Sequence, residues 1–68
     1  MRIISTQIKE LRQEKKLTQQ ELADKIGVKR YNISDWEQGR TEPDVSTIIL
    51  LAKFFSVTSD YLLGLDEK

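Results

Sequence analysis

Apolar residues recur at helical spacing along this 68-residue chain, in segments separated by short polar turns. The apolar positions of the first segment, spaced i, i+4 and i+7, are Ile4, Ile8 and Leu11. Such spacing predicts a helix with one buried face. We expect Ser5 or Thr6 to cap its N-terminus and the helix to run to about Lys16.

Two further helical patterns meet at a single glycine. The first begins at Thr18, with Glu21 three residues later, a spacing that predicts a capping box. Its apolar residues are Leu22, Ala23 and Ile26. Gly27 then stands where a left-handed residue ends a helix without a steric penalty from a Cβ atom. The connection is too short to leave the angle between the two helices free.

The second pattern starts at Val28 and continues through Ile33 and Trp36 to a stop at Gly39. If Ile33 and Trp36 face the core, the opposite side of this helix is a rigid polar surface. Trp36 is therefore interpreted as a core anchor and not as a stacking platform.

The rest of the chain predicts a loop and two more helices. Residues 40–43 form the loop, because the residue before Pro43 avoids helical geometry. Asp44 is expected to cap a fourth helix, and Thr58 a short fifth helix that ends at Gly64. The fourth helix has an apolar stripe of Ile48, Leu51, Ala52 and Phe55. The prediction is one compact all-α domain of five helices over residues 1–68, without strands, repeats or linkers.

Composition removes several classes of function. The chain has no cysteine and no histidine, which excludes a disulfide framework, a zinc finger and a Cys/His catalytic pair. The carboxylates are scattered over predicted solvent faces, and no nucleophile has a base in a recognisable arrangement. We therefore expect no enzyme activity, no metal and no cofactor. No apolar run has the length of a signal peptide or membrane span, so a cytoplasmic protein without membrane contact is expected.

Charge is balanced overall but not along the chain. Eleven basic and eleven acidic residues give a net charge of zero. Residues 12–40 contain seven basic and five acidic residues, a net charge of +2, whereas residues 42–68 contain two basic and five acidic residues, a net charge of −3. If a polyanion binds, it should meet the basic half, and zero net charge predicts weak binding by a monomer.

Residues 18–39 also carry a specific set of motifs. They read Thr-Gln-x-Glu-Leu-Ala, then Ile-Gly-Val, then Ile-Ser-x-Trp-Glu-x-Gly, with Pro43 beyond. This stretch resembles the helix-turn-helix of the phage repressor and Cro family, often called the Xre family. The resemblance extends from about Ile8 to Leu63. It implies a lambda-repressor-like fold that binds DNA.

When a helix-turn-helix protein of this kind binds DNA, the second helix of the motif lies in the major groove. The resemblance implies base-reading positions at Lys29, Arg30, Tyr31, Ser34 and Asp35. Arg30 is suited to guanine, and Tyr31 to a thymine methyl group. We expect Asp35 either to accept from a cytosine amino group or to orient Arg30.

The same resemblance implies contacts to the DNA backbone and one structural ion pair. The backbone positions are Thr18, Gln19, Asn32, Gln38, Arg40 and Thr41. Gln19 matches a family residue whose side chain and amide hold a phosphate at the positive end of a helix. Arg12 and Glu37 match an ion pair that joins the first helix to the end of the third, and we expect it to be shielded from water.

Two residues depart from the family pattern. Position 29 is usually Ser or Thr, which would cap the second helix of the motif, but Lys29 cannot cap. We expect that helix to start later or to fray, unless Asn32 or a phosphate compensates. Tyr31 is bulkier than the residue commonly found there. Both departures affect the details of base reading and leave the fold intact.

Taken with the resemblance, these residues predict a sequence-specific transcriptional regulator. The expected form is a small repressor of phage, prophage or bacterial origin that binds a palindromic operator as a homodimer, with half-sites about 34 Å apart. Leu63 and Leu65 have no later element to cover them and are either a frayed edge or part of a dimer contact. The alternative is a protein-interaction module, such as an antitoxin or a regulator held by a protein partner.

Overall fold

The computed structural model describes residues 3–66. These residues form α1 (Ile3–Glu14), α2 (Gln19–Ile26), α3 (Arg30–Glu37), α4 (Val45–Phe55) and α5 (Ser59–Leu62), with no strand in this range. The predicted all-α class and the five predicted helices are confirmed. None of the helices within residues 3–66 has the length and apolar character needed to cross a bilayer.

A single apolar core joins the helices. α3 packs against both α1 and α2, α4 contacts α2 and α5, and α5 returns to α1. The fully buried large side chains are Ile8, Leu22, Ile33, Leu51 and Leu62. Each of the five comes from a different helix, so burying them fixes the position of every helix relative to the others.

Three helix starts agree with their predicted caps. The Thr18 hydroxyl accepts a hydrogen bond from the Glu21 amide, and the Glu21 side chain accepts one from the Thr18 amide, which completes the capping box. Asp44 accepts from the Thr47 amide at the start of α4. Thr58 accepts from the amide three residues on, at the start of α5. These caps depend on sequence-local geometry, which explains why spacing alone identified them.

The predicted start of the first helix is wrong, and its predicted end, about Lys16, is two residues late. α1 begins at Ile3, so Ser5 and Thr6 lie within it and do not cap it. Extending the helix by a turn buries Ile4 in the core, and this burial outweighs a cap. The extension also buries the Ser5 hydroxyl without a hydrogen-bond partner. The helix ends at Glu14, because Lys16 adopts the left-handed region at φ +58° and turns the chain toward α2.

Left-handed residues end the other helices. Gly27 has φ +77° between α2 and α3, Gly39 has φ +76° after α3, and Gly64 has φ +80° after α5. Ser56 fills the same role after α4, at φ +57°. Gly27 thus confirms the predicted tight connection, and its position fixes the angle at which α3 leaves α2.

Candidate nucleic-acid interface

The outer side of α3 is the polar surface predicted from the sequence. Ile33 is fully buried and Trp36 is 6% exposed, so this face of the helix is anchored in the core. At the N-terminal end of the helix Lys29 and Arg30 are exposed, and Tyr31 is 58% exposed. Two cations and one aromatic ring therefore project from a helix that cannot rotate without unpacking the core.

The first turn of α3 has no side-chain cap. Lys29 occupies the capping position with extended backbone, and its side chain makes no capping hydrogen bond, as expected for lysine. The helix begins at the next residue, Arg30. The Asn32 amide donates to the Lys29 carbonyl oxygen at 2.9 Å. The two amides before it, of Arg30 and Tyr31, lie too early in the helix to have an acceptor within it, so a positive helix end lies beside two basic side chains. Such an end attracts anions.

The N-terminus of α2, at the start of the motif, is a second helix end with free amides. The capping box there uses the backbone amides of Thr18 and Glu21. The amides of Gln19 and Gln20 lie too early in the helix to have an acceptor within it, since the first acceptor, the Thr18 carbonyl oxygen, receives the Leu22 amide. The Gln19 side chain does not extend freely: its Nε2 donates to Glu37 Oε1 at 3.2 Å. A phosphate approaching this point would therefore meet backbone N–H groups ahead of the Gln19 side-chain amide.

Glu37 receives hydrogen bonds from two helices. Arg12 Nε donates to Glu37 Oε2 at 2.7 Å, and Arg12 Nη2 donates to Oε1 at 3.0 Å. The Arg12 and Glu37 side chains are 13% and 4% exposed, so the ion pair expected from the sequence is present and shielded. Arg12 Nη1 also donates to the Leu17 carbonyl oxygen at 2.8 Å. The hydrogen bond to Glu37 raises the pKa of Arg12, despite desolvation, which keeps the guanidinium charged.

This network sets the relative position of the two possible anion-binding ends. Arg12 holds the turn before α2 through Leu17, and the last turn of α3 through Glu37. Gln19 adds a direct link between the first turn of α2 and the last turn of α3. The backbone amides of α2 and the exposed face of α3 are thus parts of one rigid body.

The remaining predicted positions lie within α3 and just beyond its C-terminal end. Ser34, Asp35 and Asn32 are half-buried, whereas Gln38, Arg40 and Thr41 are exposed. Gln38 Nε2 donates to Ser34 Oγ at 2.8 Å, a contact between residues four apart on one helix. Sequence reasoning missed this pair, although its spacing was visible.

Asp35 pairs with Arg40 and not with Arg30. Arg40 Nη1 lies 3.6 Å from Asp35 Oδ1. The expectation that Asp35 orients Arg30 is wrong. Arg30 and Asp35 are five residues apart, and residues at this spacing do not share a face of a helix. Helical side chains also lean toward the N-terminus, so the Arg30 side chain leans away from Asp35. The turn at Gly39 instead folds Arg40 back toward the last turn of α3.

Comparison with known proteins places this arrangement in a family. A family model described as helix-turn-helix (HTH_3) matches residues 8–62. Among curated proteins, the chain is 38% identical over 64 residues to the HTH-type transcriptional regulator ImmR of Bacillus subtilis, covering 94% of this chain and 50% of ImmR. It is 37% identical to the cryptic phage CTXphi transcriptional repressor RstR of Vibrio cholerae, covering 97% of this chain and 64% of RstR.

A solved structure agrees with this comparison. The P22 c2 repressor, crystallised with a synthetic operator, superposes with a TM-score of 0.88 at 32% identity, covering 97% of this chain and all of that one. The chain spans about half the length of the first curated relatives it matches. The matched range includes all of the motif between Thr18 and Gly39. The chain therefore belongs to the Xre-type helix-turn-helix family, whose members include named transcriptional regulators and phage repressors.

Proposed function

We propose that this chain is a sequence-specific DNA-binding transcriptional regulator of the repressor type, which reads the major groove with α3. One observation carries the proposal: Ile33 and Trp36 anchor α3 in the core while Lys29, Arg30 and Tyr31 are left exposed on its outer face. A helix held in this way is stiff enough to place side chains against base edges. The related repressor that was crystallised with an operator supports the same docking.

The exposed face of α3 supplies base contacts of distinct chemistry. Arg30 forms a bidentate contact with guanine O6 and N7, and Lys29 contacts a second guanine or a phosphate. Tyr31 packs its ring on a thymine methyl group. Ser34 and Asp35 lie one turn further along, and Asp35 accepts from a cytosine amino group. These contacts determine sequence preference.

Contacts to phosphates position the motif on the duplex. They come from both ends of the rigid body: Thr18 and Gln19 at the start of α2, Asn32 in α3, and Gln38, Arg40 and Thr41 at and beyond the end of α3. At Gln19 the backbone amide makes the primary contact, because the side chain already donates to Glu37. These contacts add affinity for every sequence alike.

The bound form is a homodimer on a palindromic operator in the cytoplasm. Zero net charge limits what one domain gains from phosphate neutralisation, so two domains on one duplex give the necessary affinity. Leu63 and Leu65 are 43% and 75% exposed and supply apolar area for pairing. Size-exclusion chromatography with and without DNA separates this arrangement from a module whose main partner is another protein.

Selection from random duplexes, followed by sequencing, tests the function directly. We expect a palindromic motif with half-site centres about one helical turn apart. On the selected duplex, a dimer that neutralises about six phosphates should give a slope near −5 for log affinity against log salt. A slope near zero, with no enriched motif, would contradict DNA binding.

A further inference from the structure

Each of the five helices in residues 3–66 ends by the same backbone closure. The chain passes through a residue of positive φ, and the next amide donates to the carbonyl oxygen five residues earlier. The donors of these hydrogen bonds are Leu17, Val28, Arg40, Val57 and Leu65. This closure brings the donor residue beside the last turn of the helix, where an apolar contact usually accompanies it.

The end of α3 differs from the others in chemistry. Four of the five donor residues are apolar, but α3 is closed by Arg40, whose amide donates to the Asp35 carbonyl oxygen at 2.9 Å. The guanidinium of Arg40 then lies 3.6 Å from the carboxylate of the same Asp35. The backbone closure and the ion pair connect the same two residues, so the turn at Gly39 holds the ion pair together.

This pair contributes little to folding. The Arg40 and Asp35 side chains are 67% and 32% exposed, and ion pairs with that much solvent contact have little effect on the free energy of unfolding. Its position suggests an effect on binding instead. Asp35 is the acidic residue among the five proposed base-reading positions, and an uncompensated carboxylate there would repel the phosphates on either side of a groove.

We propose that Arg40 is a positioning residue for base reading: it neutralises Asp35 and aims its carboxylate at a cytosine amino group. The Arg40 guanidinium lies 3.6 Å from Oδ1, and we expect the other carboxylate oxygen to accept from the base. The inference rests on the proposed function and adds to it a specificity role for Arg40 beyond any phosphate contact. It predicts that the identity of residue 40 affects recognition of a base pair that Arg40 itself does not touch.

The test compares Asp35→Asn, Arg40→Gln and their double variant on duplexes selected with the unaltered protein. At the selected cytosine, a matched duplex carries thymine, which presents an acceptor where cytosine presents an amino group. Asp35→Asn and Arg40→Gln should each reduce the preference for cytosine about tenfold, and the double variant should lose no more than either single change. Arg40→Lys should recover part of the preference, because it restores the positive charge.

Lys53→Gln is the matched control, since it removes one positive charge from the exposed surface of α4 and should leave the preference unchanged. An equal loss of affinity on both duplexes for Arg40→Gln, or a cytosine preference that survives Asp35→Asn, would overturn the inference. If the proposed function itself is wrong, the unaltered protein will select no motif at all, so the two outcomes can be told apart. Thermal unfolding of each variant verifies that the exposed changes leave the domain folded.

Discussion

Arg12 and Glu37 form a two-point ion pair that links α1 to the last turn of α3. The two hydrogen bonds measure 2.7 and 3.0 Å, and the second carboxylate oxygen also accepts from Gln19. Each partner is largely removed from water. Two charges buried together are tolerated because each compensates the other, so the pair is sensitive to the loss of one member.

Arg12→Met should destabilise the domain by about 3 kcal/mol or more, because it leaves the Glu37 carboxylate buried without its cation. A domain of this size has a total stability of roughly 3 to 10 kcal/mol, so the loss is a large fraction of the total. Urea unfolding followed by circular dichroism measures the effect. The double variant Arg12→Met with Glu37→Leu should recover most of the loss, since no charge remains buried. A double variant as unstable as the sum of both single changes would refute this account.

The stability of the folded protein should depend on pH through Asp44, which caps α4. Hydrogen bonds from the Thr47 side chain and amide lower the pKa of Asp44 below its ordinary value of 3.8. A carboxylate with a lowered folded-state pKa stabilises the protein above its unfolded pKa and loses that effect as the pH falls through the folded value. Melting temperature should therefore fall between about pH 5 and pH 2, partly because of this residue.

Asp44→Asn isolates that contribution, because asparagine caps a helix almost as well and does not titrate in this range. The difference in melting temperature between the unaltered protein and Asp44→Asn should shrink as the pH drops below about 4. Parallel curves over the whole range would show that the Asp44 cap is not the titrating feature.

Ser56 occupies a conformation that favours glycine. Its φ of +57° brings the side chain close to its own backbone, and the side chain is exposed, so no packing depends on it. Ser56→Gly should raise the free energy of unfolding by about 0.5 to 1 kcal/mol, or a few degrees in melting temperature. Ser46→Gly is the contrasting variant: Ser46 has helical backbone in the first turn of α4 and an exposed side chain, so glycine there should destabilise the protein slightly. A loss of stability for Ser56→Gly would rule out relief of backbone strain.

The sequence predicted those parts of the fold that depend on neighbouring residues. The caps at Thr18, Asp44 and Thr58 and the turn at Gly27 follow from spacings of one helical turn, and all four were correct. The start of α1 was wrong because two local signals competed there. A serine or threonine cap lost to burial of Ile4, which depends on helices distant in sequence.

In the candidate interface, too, local features could be predicted from the sequence and contacts between distant residues could not. Periodicity was sufficient to place Ile33 and Trp36 inside, and thereby to select the outer face of α3. It was not sufficient to find the hydrogen bond from Gln19 to Glu37, which joins residues 18 apart and depends on the rotamer of a long side chain. The Asp35–Arg40 pair could have been predicted from the sequence. A glycine stands four residues after the aspartate and is followed by arginine, and this order permits the closure seen at the end of α3.

Arg30 and Gln19 provide the sharpest comparison between base reading and backbone positioning. Arg30 is exposed on the outer face of α3, so Arg30→Ala should lose about 1 to 3 kcal/mol of binding free energy on the selected duplex and relax the preference at one base pair. Gln19→Ala should weaken binding to selected and random duplexes alike and only modestly, because it removes the side-chain link to Glu37 and keeps the backbone amide that is the proposed primary phosphate contact. Fluorescence anisotropy at one fixed salt concentration measures both, since affinities at different salt cannot be compared. If Arg30→Ala loses as much on random DNA as on the selected duplex, Arg30 contacts phosphate, and base reading must come from its neighbours on the same face.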